Sequence, residues 1–304
     1  MIDKLKQINF PATATFDNKK VAVYVTAYNR PEFFISTIES INKCDELENV
    51  PIFFYLDGGK NSRQNENIEL IKKVKHKNKF VIKRGYNYGC NKNVLGGFDD
   101  LFIELKFDQV FYLEDDYRFG NGFFKYCYST LQKIKNEIDP SVGIFQGFGY
   151  CLLTTEEKKQ HLDEVKHVDE CYMWGYTLEK DFYLQLREKL EGFYQINSTL
   201  ATDGTAMQSM ISKKVEYANF FDSLIEANRD RMSERLIRQY YKKQFEHCSL
   251  TYDAAFDLGM AALGKKRYTP VVNRMSNVGT YGAHFGTEFF KSLKLDQIKF
   301  EEVW

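Results

Sequence analysis

The chain contains no run of eighteen apolar residues, and its first twenty positions lack the apolar segment and small-residue cleavage site of a leader. The sequence is therefore expected neither to span a membrane nor to enter a secretory route. Net charge is missing too: 42 basic residues balance 42 acidic ones, so the many-phosphate footprint of a duplex nucleic-acid binder is not expected. A small anionic ligand bound locally remains compatible with that balance. The six cysteines, at 44, 90, 127, 151, 171 and 248, form no CxxC pair and no zinc spacing. They are too sparse for a disulfide scaffold and are read as reduced thiols in or near the core. No GxxxxGK[ST] loop is present and no GxGxxG follows the first strand, which argues against a P-loop enzyme and a dinucleotide oxidoreductase. Repeats, low-complexity tracts and long linkers are also absent. What remains is 304 residues at 43% hydrophobic and 28% charged, enough for roughly three quarters of the unfolded chain's surface to be buried.

The apolar runs have strand length and alternate with helical periodicity. KVAVYVTAYN at 20–29 ends at Pro31, which cannot continue a ladder but suits the first turn of a helix, and 34, 35, 38 and 41 then recur at helical spacing. PIFFYL from Pro51, KFVIKR at 79–84 and DQVFYLEDD from Asp108 are further strands, with helices predicted near 67–75 and 93–105 between them. Strand and helix in strict alternation predict an α/β fold, a mainly parallel sheet with helices on both faces. Beyond Tyr117 the pattern predicts a helix over 123–138, a strand over 142–148 and a helix-rich second half. Its clearest piece is one long helix over 218–246, whose Lys and Arg content would also suit an anionic lipid surface.

Chemistry concentrates at strand ends. Glu114, Asp115 and Asp116 close an apolar strand, at the edge where open α/β sheets bind ligands. Adjacent carboxylates repel unless a cation neutralises them, and a hard divalent ion does so while leaving room for phosphate oxygens; the plainer alternative is an acidic turn that caps a helix. Asp57 ends LDGG, Tyr28-Asn29-Arg30 ends the first strand, and the loop 86–93 adds glycine, amides and Lys92. A nucleoside diphosphate fits such an edge. Trp174 beside Gly175 is either a packed aromatic or a sugar-stacking ring. His284 is either a site residue or a buried histidine. Cys90 has no base adjacent in sequence and is not read as a nucleophile.

The ordered series VAVYVTAYNRP, FFYLDGG, NYGCNKN and FYLEDD resembles the nucleotide-sugar-binding half of GT-A glycosyltransferases, with EDD where those families carry a metal-binding DxD. CYMWGYTLEKDFY at 171–183, TYDAAF at 251–256 and RMSNVGTYGAHF at 274–285 resemble the WGW-type, WDYQW and SNIG…THT segments of bacterial sugar transferases related to family 2. The resemblance implies a single Rossmann-like GT-A domain, with donor binding at about 20–120, acceptor binding at about 121–304 and a helical insertion at about 185–250. It implies Asp57 against the donor base, Asp115 and Asp116 at the ribose and metal, and Tyr28, Asn29, Arg30, Lys92, Asn93, Glu114, Trp174 and Gly175 around the nucleotide-sugar. Asp116 and His284 would serve Mn2+ or Mg2+, and Asp253 would be the general base, with Asp203 or Glu170 as its alternatives. The implied partners are a nucleotide-sugar, UDP-linked by preference, and a glycan or lipid-linked acceptor; the implied location is cytoplasmic, extending to the inner face of the membrane. EDD departs from a clean DxD, and TYDAAF lacks both tryptophans of WDYQW. A nucleotidyltransferase would need a Gly-rich basic signature after the first strand, which AYNRPEFF lacks; an inactive nucleotide- or glycan-binding module is the remaining alternative.

Overall fold

The computed structural model describes residues 15–16, 18–150, 152–169, 173–200, 210–245, 251–281, 287–297 and 299–300. The predicted apolar runs are strands: β1 (Thr15–Phe16) leads into β2 (Lys19–Ala27), followed by β3 (Ile52–Leu56), β4 (Lys79–Lys83) and β5 (Gln109–Glu114). Between them lie α1 (Pro31–Ile41), α2 (Gln64–Lys72) and α3 (Gly89–Asp99). Val21, Val23 and Val25 of β2 join a cluster with Phe34 and Ile38 of α1, whereas Ala22 and Tyr24 join a second cluster with Val94 and Phe98 of α3. A strand covered by helices on both faces has no polar side, which is why these runs are continuously apolar rather than alternating.

The second half adds β6 (Tyr117–Phe119), α4 (Phe123–Lys133), β7 (Val142–Gln146), α5 (Thr155–Gln160), β8 (Val165–Val168) and β9 (Tyr176–Glu179). Helices α6 (Lys180–Lys189), α7 (Glu191–Ser198), α8 (Lys214–Ala227), α9 (Glu234–Phe245) and α10 (Tyr252–Ala262) follow, then β10 (Lys266–Pro270), β11 (Met275–Asn277) and α11 (Thr287–Ser292). The sheet runs in the order β4-β3-β2-β5-β9-β7-β10-β8, with β1 on β2. β4, β3, β2 and β5 are mutually parallel; β9 runs antiparallel to both β5 and β7, and β10 is parallel to β7. The main direction is therefore shared by six of the eight strands on that path, and the expected α/β fold with a mainly parallel sheet and a helix-rich second half is present. Ala27, Leu56, Glu114 and Gln146 all end on one edge, the edge that carries the site. No helix among the described residues is long and apolar enough to cross a membrane.

One expectation needs correction. The long helix over 218–246 is two helices, α8 and α9, separated by a tight turn at Arg229–Arg231. The Asn228 side chain donates to the Leu224 carbonyl at 2.8 Å, and Ser233 Oγ accepts from the Leu236 amide at 3.2 Å. Short polar side chains that bond their own backbone end one helix and start the next.

Candidate active site

Three strand ends deliver the carboxylates and cations of the site. The turn after β5 is pinned by α1: Thr37 Oγ1 accepts from the Tyr117 amide at 3.0 Å and contacts the carbonyl of Tyr117 at 3.1 Å. Asp115 and Asp116 are thereby held in place at 3% and 2% exposure. Arg30, delivered by the turn between β2 and α1, places Nη2 against Asp115 and 3.1 Å from Asp116. Its Nη1 donates to the Tyr281 carbonyl at 3.0 Å. Burial opposes the guanidinium charge, but Asp115, Asp116 and Glu114 outweigh it and hold Arg30 firmly protonated. Burial pushes Asp115 up to about 6 even though Arg30 pulls it back, with Asp116 adding to the rise.

Glu114 is driven further. Burial, then the charges of Asp116 and Asp253, push it up to about 8, against the hydroxyl of Tyr252 that donates to it at 2.9 Å. Such a carboxyl holds a proton in the folded chain that the unfolded chain has released, so its contribution makes stability fall as pH rises from about 4.5 towards about 8, with a slope of at most about 1.4 kcal/mol per pH unit. Melting temperatures measured across that range should decline in the wild type and decline less in Glu114→Gln; equal slopes would show that Glu114 does not hold the proton.

The segment after β10 closes over Asp116. β11 pairs with β6 antiparallel, Asn277 opposite Tyr117. The Asn277 amide donates to Asp116 Oδ1 at 3.2 Å, and the Val278 amide to its carbonyl at 2.8 Å. A Cβ at Gly279 would lie 2.3 Å from Asp116 Oδ2, so only glycine permits this approach. Tyr281 then packs on Phe33 with ring centroids 4.8 Å apart, and its hydroxyl bonds Glu32.

Asp57 ends β3 but does more than present a charge. Its carboxylate accepts from the amides of Gly58 at 2.9 Å, Tyr88 at 2.7 Å and Gly89 at 2.9 Å. It thus caps α3 from a distant strand, and α3 begins at Gly89 rather than near residue 93. Burial raises its pKa, with the three amides and Arg84 opposing. A carboxylate has about four acceptor positions, and these bonds use three. Tyr28 and Asn29 are half-buried on the same edge; the Tyr28 carbonyl accepts from Asn67 at 3.0 Å and its hydroxyl from Asn87 at 3.2 Å.

Asp253 lies in the first turn of α10, half-buried, and the same helix brings it to the acidic edge. Tyr252 is bonded on one side to Glu114 and on the other, through its amide, to Asn91 Oδ1 at 2.8 Å. The charge of Asp253 contributes to the raised pKa of Glu114, where burial is the main cause; Cys44 and Cys127 are buried as expected, but Cys90 is an exposed free thiol and does not lie in the core. Other residues read as site groups sit differently. Asn93 is buried, its Oδ1 accepting from Arg84 at 3.2 Å and its carbonyl from Tyr24 at 2.8 Å, so it braces α3 beneath the loop instead of lining the open edge. Lys92 Nζ donates to the Ser198 carbonyl at 3.3 Å and lies 5.3 Å from the Tyr88 ring centroid. Trp174 is 7% exposed, with its ring 4.8 Å from Phe148. Gly175 accepts from the Gly147 amide at 2.8 Å. His284, Glu170 and Asp203 lie outside the described residues.

The sequence reading missed Tyr252, Asn277 and Gly279. Tyr252 adjoins a singled-out aspartate and the other two lie in a quoted motif, but their partners Glu114 and Asp116 are more than a hundred positions away.

Together these features define an α/β protein with an acidic edge, paired with Arg30, at the carboxyl ends of its parallel strands. No protein-family model matches the sequence, and no curated protein matches it. Among solved structures it is similar to a mannosyltransferase from Pyrobaculum calidifontis in complex with GDP-Man and Mn2+, at 10% identity and TM-score 0.41, over 86% of this chain and 79% of that one. It is also similar to glucosyl-3-phosphoglycerate synthase from Mycobacterium tuberculosis in complex with Mn2+, UDP and glucosyl-3-phosphoglycerate, at 13% identity and TM-score 0.34, over 65% of this chain and 69% of that one.

Proposed function

We propose that this chain is a nucleotide-sugar-dependent glycosyltransferase of GT-A type that inverts the anomeric centre while moving a sugar to a hydroxyl of a glycan or lipid-linked acceptor. The observation that carries the reading is the approach of α10, with Asp253 in its first turn, to Glu114, whose neighbours Asp115 and Asp116 are paired with Arg30 at the same sheet edge, although α10 lies more than a hundred residues from β5. Residues of about 20–120 would hold the donor, UDP-linked by preference, and those of about 121–304 the acceptor, with the helices of about 185–250 as an addition.

In the proposed step the acceptor oxygen attacks the anomeric carbon, and the bond to the nucleoside diphosphate breaks with its electron pair staying on the phosphate oxygen. The hydroxyl proton passes to Asp253, where the N-terminus of α10 favours an ionised carboxylate ready to receive it. Glu114, whose pKa is raised by burial and by the charges of Asp116 and Asp253, lies beside it. Asp57 has one acceptor position left for a donor N–H of the base while it keeps the loop 86–89 in place. Among the described residues no three His, Cys, Asp or Glu side chains converge as a closed cage. A divalent ion of the Mn2+ or Mg2+ type is commonly held by one or two carboxylates and completed by substrate phosphates and water; the adjacent Asp115 and Asp116, both paired with Arg30, are the carboxylates that would serve it here. Asp116, beside Asp115, would hold it, and the ion would neutralise charge growing on the leaving diphosphate.

The test is a thermal-shift series with UDP- and GDP-sugars, with and without Mn2+. At a hundredfold excess over Kd a ligand adds about 2.7 kcal/mol of stability. Asp57→Asn should raise the donor KM more than it lowers kcat, because a contact to the base is equal in ground and transition states. No stabilisation by any nucleotide-sugar would remove the reading; a shift with no transfer to any acceptor would leave the binding module in its place.

A further inference from the structure

Helix α10 starts at the acidic edge and ends at a second feature on the opposite edge of the sheet. There a cavity of about 190 Å3 opens between the turn before α9, the end of α10 and the starts and ends of β10 and β8. The end of α10 is a tight left-handed turn: Gly264, at φ +63, donates to the Ala261 carbonyl at 2.9 Å, and the Lys265 amide reaches back to the Met260 carbonyl at 2.9 Å. This turn carries Lys265 into the cavity wall.

The charges of the wall do not cancel. Arg267, 2% exposed, is paired with buried Asp257, and Lys266 reaches Asp139 at 2.8 Å. His167 has Asp169 at 3.5 Å. Arg231 and Lys265 are left with no described carboxylate within ion-pair distance, and Arg231 only donates to the Ala262 carbonyl at 3.2 Å. Ser233 also lines the cavity; its oxygen caps α9 by accepting from the Leu236 amide, which leaves its O–H free to donate outward. Two unneutralised cations, a hydroxyl donor and the positive end of a twelve-residue helix thus face one concave space. Asp257 is paired with Arg267, whereas Asp169, exposed beside His167, keeps its negative charge at the rim of the cavity.

We propose that this cavity binds a phosphate monoester, with Arg231 and Lys265 as its cationic partners and Ser233 as a hydroxyl donor. A phosphate monoester offers three acceptor oxygens to that donor set, and its negative charge is met by the two cations. The proposal is independent of donor binding, because the cavity lies on the edge of the sheet away from Asp57 and Asp116.

Inorganic phosphate is the first probe, titrated calorimetrically at low ionic strength. Saturable binding is expected in the wild type, weakened about tenfold in each of Arg231→Gln and Lys265→Gln, as loss of one charge-assisted contact would do, and unchanged in the surface control Lys72→Gln. Lys265→Arg should restore most of the affinity. Two vesicle arms identify the source: sedimentation with phosphatidylcholine vesicles containing phosphatidic acid, lost in the double variant, assigns a lipid headgroup, whereas no sedimentation together with phosphate binding assigns a free phosphate or a soluble monoester. Circular dichroism shows whether each variant is folded. Absence of phosphate binding in the wild type, or binding that both folded variants retain in full, would overturn the proposal.

Discussion

Asp253→Asn is expected to lower kcat by about 10² to 10⁴ while the donor KM and the melting temperature stay near wild type. A carboxylate that takes a proton only as the acceptor attacks is engaged in the transition state and not in donor binding. The amide keeps its size and its place in the first turn of α10, where Tyr252 and Ala255 hold the helix in the core. Only a small stability change follows from the lost charge at the helix N-terminus, about 0.3–1 kcal/mol. Steady-state rates with a fixed acceptor, alongside thermal melts, separate the two effects. Retention of more than about a tenth of wild-type kcat would move the base to Asp203 or Glu170, and the matching Asn and Gln variants there identify which. Activity in all three variants would point to transfer with retention, which uses no base of this kind.

The second large effect belongs to Arg30. Arg30→Met removes the counter-charge of two carboxylates that are almost fully buried, and breaking a buried ion pair from one side costs about 3–5 kcal/mol. The loss should depend on pH in a defined direction. Asp115 already sits at about 6 in the folded chain, above its ordinary value, and losing Arg30 raises it further. A carboxyl whose folded pKa lies above its unfolded one is penalised as pH rises, so the variant should be far less stable than wild type near pH 8 and should recover part of the difference near pH 5, where Asp115 takes up a proton. Denaturant melts at the two pH values test this. Equal stability of variant and wild type at both would mean that Arg30 does not neutralise the site.

Much of the first half was legible because each local signal agreed with the fold. β2, β3, β4 and β5 were visible as apolar runs since helices cover both of their faces, and α1 was visible through Pro31 and its apolar spacing. The boundaries of α3 were not, because its cap is the Asp57 carboxylate from a strand more than thirty residues earlier. The break between α8 and α9 escaped a reading based on apolar period, which weighs the stripe and not the short polar side chains that interrupt it. β9 escaped too: four residues in a stretch read as a family motif do not announce that they will insert antiparallel between β5 and β7.

By itself the sequence determined which residues could carry charge to a strand end, because strand length, Pro31 and the apolar pattern set where β2, β3 and β5 stop. It also determined that Glu114, Asp115 and Asp116 would be crowded, since they are adjacent in the chain. Only the tertiary structure decided what neutralises them and what each does. Arg30 meets Asp115 and Asp116 because β2 pairs with β5, Asn277 and Gly279 reach Asp116 because β11 pairs with β6, and Asp253 nears Glu114 because Tyr252 anchors α10 against the sheet. Asn93 and Trp174, both plausible site residues by motif, were turned inward by the same packing. Position along the chain fixes a side chain's chemistry, but its partners, and hence its charge state and reach, come from contacts between segments that no local pattern encodes.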